Sequence, residues 1–229
     1  MKRGLIAVLL ILLTVPSITL PQWHKMNGPP SACVTAIAPL GSRLVLGTID
    51  HGVCVSSNGG ATWIPANSGM ANADILSLDA TDSFMVAGSS YGIDLSSDDG
   101  GSWSPGTQVF SKLECMSVVA IHDTIWVGTY PYPPGSGGVW FSSDRGLSWA
   151  VRNPGIPDPQ INVLFNDNGH LYSGTNSAGL FLSTDCGESW MERNAGMEGR
   201  HSVLALAGSG QPLYAGTSIR PSLRSSLVQ

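Results

Sequence analysis

The sequence predicts an all-β chain folded as a β-propeller of four-stranded blades. Three observations predict it. The pattern Ser-x-Asp/Asn-x-Gly-x-x-Trp occurs four times, at Ser56–Trp63, Ser96–Trp103, Ser142–Trp149 and Ser183–Trp190. The closing tryptophans lie 40, 46 and 41 residues apart, so one supersecondary unit is repeated. Between the copies run short apolar stretches bounded by Gly, Asn and Asp, and no ten-residue stretch carries a helical period.

The elements follow in order. Lys2 and Arg3 precede an apolar run from Leu5 to Val15, broken by Pro16. That run is shorter than the roughly 20 residues a helix needs to cross a bilayer. It reads as a signal peptide over residues 1–19, cut after Ser17 or Thr19, and an uncleaved anchor is the alternative. The signal implies a secreted or periplasmic chain. Residues 20–229 form the propeller, with blades near 30–68, 70–108, 112–154, 158–196, and 200–228 plus 21–27.

The unit around the fourth copy shows the pattern. Ile161–Phe165 is a first strand, Asn166–Gly169 a turn, Leu171–Thr175 a second strand, Leu180–Ser183 a third, and Trp190–Arg193 an outer fourth. The second strands align as Leu44–Thr48, Phe84–Gly88, Ile125–Thr129, Leu171–Thr175 and Leu213–Thr217. Four antiparallel strands per 40-residue period is a propeller blade, which hides its faces by radial stacking. Trp23–Gly28 matches Trp190–Gly196 and precedes Trp63 by 40 residues, so it reads as an outer strand without inner ones. Residues 202–228 supply inner strands without a box. Together they complete a fifth blade; the alternative is a truncated larger array.

The box chemistry suits a turn. A short carboxylate accepts local N–H bonds, Gly takes a dihedral other residues resist, and Trp is a large apolar plug. Asn58 replaces the acid in the first copy, where the others carry Asp98, Asp144 and Asp185. Ser56, Gly60, Trp63, Ser96, Gly100, Trp103, Ser142, Gly146, Trp149, Ser183, Gly187 and Trp190 complete these structural positions. Asn keeps an acceptor and loses the charge, which a turn tolerates and a catalytic acid does not.

On these four motifs the chain resembles the Asp-box, or bacterial neuraminidase repeat, propellers. Its blade order and N-terminal signal are similar to secreted propellers related to photosystem II stability and assembly factors. The resemblance implies that the boxes are structural hairpins on the face opposite the binding site. It also brings in glycosidases, since sialidases and xyloglucan-cleaving enzymes share the repeat.

The opposite face carries the second-to-third-strand loops and the blade-to-blade linkers. There Asp50, His51, Tyr91, Tyr130, Tyr132, Asp158 and Arg220 are the candidate ligand-binding residues. Tyr130 and Tyr132 sit on the longest such loop, stiffened by Pro131, Pro133 and Pro134, which offers a preorganised contact surface.

Several classes are disfavoured. Charged residues make up 12% of the chain, the net charge is −5 and no basic cluster is present, which argues against nucleic acid. His24, His51, His122, His170 and His201 have no metal spacing, and no cofactor motif occurs. Cys33, Cys54, Cys115 and Cys186 match no zinc pattern; they allow one or two disulfides or free thiols. Glycosidases place two carboxylates across the scissile bond. Sialidases need, by the same resemblance, three arginines on the loop face, and too few are well placed. The expectation is an exported, non-catalytic propeller that binds a protein or an extracellular glycan. The alternative is a degenerate or truncated glycoside hydrolase.

Overall fold

The computed structural model describes residues 28–29, 33–131, 137–197, 201–210 and 212–219. Blade 1 comprises β1 (Cys33–Leu40), β2 (Arg43–Ile49), β3 (Gly52–Ser56) and β4 (Ile64–Pro65). Blade 2 comprises β5 (Ile75–Ala80), β6 (Met85–Ser89), β7 (Gly92–Ser96) and β8 (Ser104–Pro105), followed by a 3-10 turn at Gln108–Phe110. Blade 3 comprises β9 (Leu113–Ile121), β10 (Thr124–Pro131), β11 (Gly138–Ser142) and β12 (Ala150–Val151). Blade 4 comprises β13 (Ile161–Asp167), β14 (His170–Thr175), β15 (Leu180–Ser183) and β16 (Met191–Glu192). Blade 5 shows β17 (His201–Gly208) and β18 (Leu213–Ile219). Each sheet is antiparallel in chain order, so the fold is the predicted all-β propeller of four-stranded blades, the fifth showing two strands among the described residues. Among the described residues the array is open, with no extensive packing of β1 or β2 on β17 or β18. The proposed outer strand at 21–27, the signal at 1–19 and the stretch 220–229 lie outside the described residues.

Each box is closed by one hydrogen-bond circuit. In the fourth, the Ser183 hydroxyl accepts from Gly187 N at 2.8 Å and donates to Asp185 at 2.7 Å. Asp185 then accepts from Ser189 N at 2.9 Å and from the Ser189 hydroxyl at 2.5 Å. The second and third boxes repeat this with Asp98 and Asp144. In the first, Asn58 accepts from Thr62 N at 2.9 Å and donates to the Thr62 hydroxyl at 2.8 Å. Reversing one hydroxyl preserves the turn without a charge.

The circuit has a pH signature. The Ser148 hydroxyl, the Ser148 N–H and the Ser142 hydroxyl hold Asp144 down at about 2, and the matching groups do so for Asp185. Asp98 is lowered for the same reasons. A carboxylate whose folded pKa lies below its unfolded value stabilises the fold above the unfolded value, near 3.8. That contribution is lost as pH falls toward about 2. Replacing Asp144 and Asp185 with Asn should therefore flatten the acid limb of a melting-temperature profile between pH 4 and 2, with little change at pH 7. An unchanged acid limb would refute the assignment.

Blades are joined by three repeated devices. The second strand carries a glycine onto which the next blade's inner strand packs: Gly47 faces Ile75, Gly88 Cys115, Gly128 Ile161 and Gly174 Val203. Those four partners are each fully buried. Polar side chains bridge successive inner strands: Thr35 donates to Ile75 O at 2.6 Å, Ser77 to Cys115 O at 2.8 Å, and Asn162 to Val203 O at 3.1 Å. Ser117 accepts from Leu164 N at 2.9 Å. All five inner strands bulge beside these sites. Finally, Trp103 donates to Ala66 O at 2.7 Å and Trp190 to Arg152 O at 2.8 Å, each carbonyl belonging to the preceding blade.

The structure corrects two details of the sequence reading. The blade 2 second strand is Met85–Ser89, one residue on from the expected Phe84–Gly88, which puts Gly88 and not Ala87 opposite the next blade. The shift also gives Ser89 the role of Thr48, Thr129 and Thr175, whose hydroxyls bond the carbonyl of the glycine opening or preceding the third strand. Tyr130 is not in a loop: β10 extends to Pro131 and pairs Tyr130 with Glu114. The four cysteines are free thiols, with Cys54 and Cys115 buried and Cys33 and Cys186 exposed.

Candidate functional site

In a meander, the second-to-third-strand turns and the blade linkers share one end of the sheet, opposite the boxes. Blade 1 shows how that end is built. Gly52 N donates to Ala73 O at 2.9 Å, and Asp74 accepts from Asp50 N at 3.1 Å. Asn67, four residues after Trp63, accepts from Val53 N at 2.7 Å and donates to His51 O at 2.8 Å. Asn194, four residues after Trp190, repeats this clamp on Leu180 N and Ala178 O. The face is thus a row of grooves between a turn, an outer strand and the incoming linker.

Asp50 and His51 are exposed and border a groove of about 650 Å³ with Cys54, Trp63, Pro65 and Asn67. Asp50 takes a left-handed φ of 68°, at the tip of the turn. Tyr91 is 70% exposed on the rim of a groove of about 150 Å³ in blade 2. Asp158 is buried beside a cleft of about 690 Å³ shared with Ser177, Phe181, Glu192 and Asn194. Its carboxylate accepts from Gln160 N at 3.0 Å and from the Ser177 N–H and hydroxyl at 2.7 Å. Tyr130 is half-buried in β10. Tyr132 and Arg220 lie outside the described residues. Among the described candidates, Asp50 with His51, Tyr91, and Asp158 therefore border three separate grooves along one face.

Blade 2 departs from the repeat twice, and both departures meet in its groove. At the third-strand position held by Cys54, Trp140 and Phe181 it has Asp94. At the clamp position held by Asn67 and Asn194 it has Thr107. Asp94 is 1% exposed and accepts from Ala71 N at 3.1 Å; burial pushes its pKa up, and the Ala71 and Asn72 N–H groups pull it back. The Thr107 hydroxyl is buried without a hydrogen-bond partner. Both residues line the groove under Tyr91, with Asn72, Ser89 and Ser111. The signal was present in the sequence as two breaks in the alignment, and only the fold shows that they are adjacent. Among the described residues, no three His, Cys, Asp or Glu side chains gather as a metal site would require.

No family model matches the chain. A xyloglucanase from a Paenibacillus species is 27% identical over 138 residues, which is 56% of this chain and 13% of that protein. The chain thus spans a small part of that relative. Among solved structures, a GH74 xyloglucanase from Xanthomonas campestris superposes with a TM-score of 0.62 at 17% identity, covering 86% of this chain and 35% of that one. YCF48 bound to D1 peptide superposes with a TM-score of 0.62 at 17% identity, covering 86% of this chain and 66% of that one. These likenesses establish the propeller fold.

Proposed function

We propose that the chain is an exported, non-catalytic propeller that binds a protein or an extracellular glycan through its loop face, centred on the blade 2 groove. The observation that carries this is that the buried Asp94 carboxylate and the unpartnered Thr107 hydroxyl line one groove with exposed Tyr91. An acceptor, an unmet hydroxyl and an aromatic platform form a recognition set for a hydroxyl-bearing or amide-bearing group. A groove of about 150 Å³ suits a small group rather than a whole chain segment. The groove lining contains one carboxylate, whereas glycoside hydrolysis generally uses two. The peptide-bound YCF48 and the glycan-cleaving xyloglucanases support the two partner classes. The positive, apolar N-terminus supports export.

Screening the chain on peptide and glycan arrays, then titrating the strongest binder by calorimetry, tests the reading. Tyr91→Ala should weaken binding about tenfold or more, the loss of about 1.4 kcal/mol, with no fall in melting temperature. Asp94→Asn and Thr107→Val should each weaken it further. Affinity unchanged in all three would remove the groove from the site.

One observation favours a hydrolase as second reading: the 690 Å³ cleft carries two carboxylates, Asp158 and Glu192. Release of reducing sugar from xyloglucan, abolished by Glu192→Gln, would establish it in place of the binding reading.

A further inference from the structure

The two ends of the array present the two halves of the same interface. Every internal junction sets an inner strand's apolar side chains against the previous blade's second strand. At the first inner-strand position Ile75, Cys115, Ile161 and Val203 are 0% exposed, whereas the register equivalent in blade 1, Val34, is 47% exposed. At the next apolar position on that side, Leu78, Val118 and Leu164 are 8%, 7% and 4% exposed, whereas Ile37 is 62% exposed. Blade 5 is the converse. Tyr172 of blade 4 is 9% exposed under blade 5, whereas its equivalent Tyr214 is 65% exposed. A Cβ on Gly47, Gly88, Gly128 or Gly174 meets the next blade, whereas one on Gly216 meets only Ala205 of its own sheet.

We propose that a second copy of this chain occupies these faces, with Val34 and Ile37 of one copy packing on Gly216 and Tyr214 of the other. Three features argue for this occupant. The mating surface continues the four junctions already built, with a β-branched residue opposite a glycine as at Gly47–Ile75 and Gly174–Val203. Both required halves are on one chain. Among the described residues of one chain they are apart, with no extensive packing of β1 or β2 on β17 or β18. The contact is head-to-tail, so copies add until the rotation closes a ring or continue as a filament. Burying Val34, Ile37 and Tyr214 removes apolar surface of the kind that drives association.

The test uses the full chain. Sedimentation velocity should show a mass that rises with concentration. Ile37→Asp or Tyr214→Asp should each return it to monomer. For cross-linking, Val34→Cys and Gly216→Cys are combined in a Cys33→Ser, Cys186→Ser background. Neither position meets a described neighbouring blade, so both thiols fit without disturbing the described sheets. Mild oxidation should give dimers and higher bands on a non-reducing gel. A faster-migrating monomer would mean that the ends close within one chain and would overturn the second-copy assignment. A monomer at all concentrations with no cross-link would overturn it equally.

Discussion

Gly88→Ala is expected to destabilise the chain by about 3 kcal/mol, whereas Gly216→Ala, at the equivalent strand position, leaves stability unchanged or slightly raised. The added methyl at Gly88 would stand 2.6 Å from the Cys115 carbonyl and 2.9 Å from its Cβ. The carbonyl is backbone and accepts from the Ser77 hydroxyl of blade 2 at 2.8 Å, so relief requires the two blades to separate. Separation exposes the cluster of Phe84, Val86, Ile93, Phe110, Cys115 and Val118. At Gly216 the nearest atom is the Ala205 Cβ at 3.5 Å, an ordinary contact. A cost of about 3 kcal/mol corresponds to a melting temperature lower by about 6–12 °C for a chain of this size. Thermal unfolding of both variants by circular dichroism, at dilute concentration, measures the contrast. Equal effects at the two positions would mean that blade stacking does not depend on the glycine row.

This contrast also marks what the sequence reveals. The period of the boxes, the four strands per blade and the turns were legible, because each follows from local chemistry: a serine and an acid closing a turn, alternating burial, a glycine at positive φ. Register was less secure. Phe84–Gly88 and Leu44–Thr48 align by eye, yet Gly88 must stand where Gly47 stands because only a glycine admits the next inner strand. Nor could the sequence separate the roles of the loop-face acids. Asp158 and Asp94 both lie on that face, but Asp158 is saturated by Gln160 and Ser177 while Asp94 borders an unpartnered hydroxyl. Those differences arise from contacts between residues from neighbouring blades, which a linear alignment does not contain. The same holds for Val34 and Tyr214, unremarkable as letters and exposed because no described blade covers them.

Trp103→Ala is expected to cost about 3–5 kcal/mol, and Trp103→Phe about 1–3 kcal/mol. Trp103 is 4% exposed in the junction of blades 1 and 2, among Val45, Val55, Ala66 and Met85. Truncation removes a large apolar side chain from between two sheets that cannot close over the cavity without shifting the Gly47–Ile75 contact. The phenylalanine variant keeps most of the volume and isolates the polar component: Ala66 O loses the indole N–H that reaches it at 2.7 Å. Trp63 supplies the internal control. It is half-buried and its indole nitrogen has no partner, so Trp63→Phe breaks no hydrogen bond and should cost under about 1 kcal/mol. If Trp63→Phe proved as costly as Trp103→Phe, the indole bond could not be the source of the difference, and the box tryptophan would act through packing alone. The predicted inequality instead makes Trp103 the link between its box and the blade before it. The turn fixes the side chain, and the side chain fixes the neighbouring outer strand through one carbonyl.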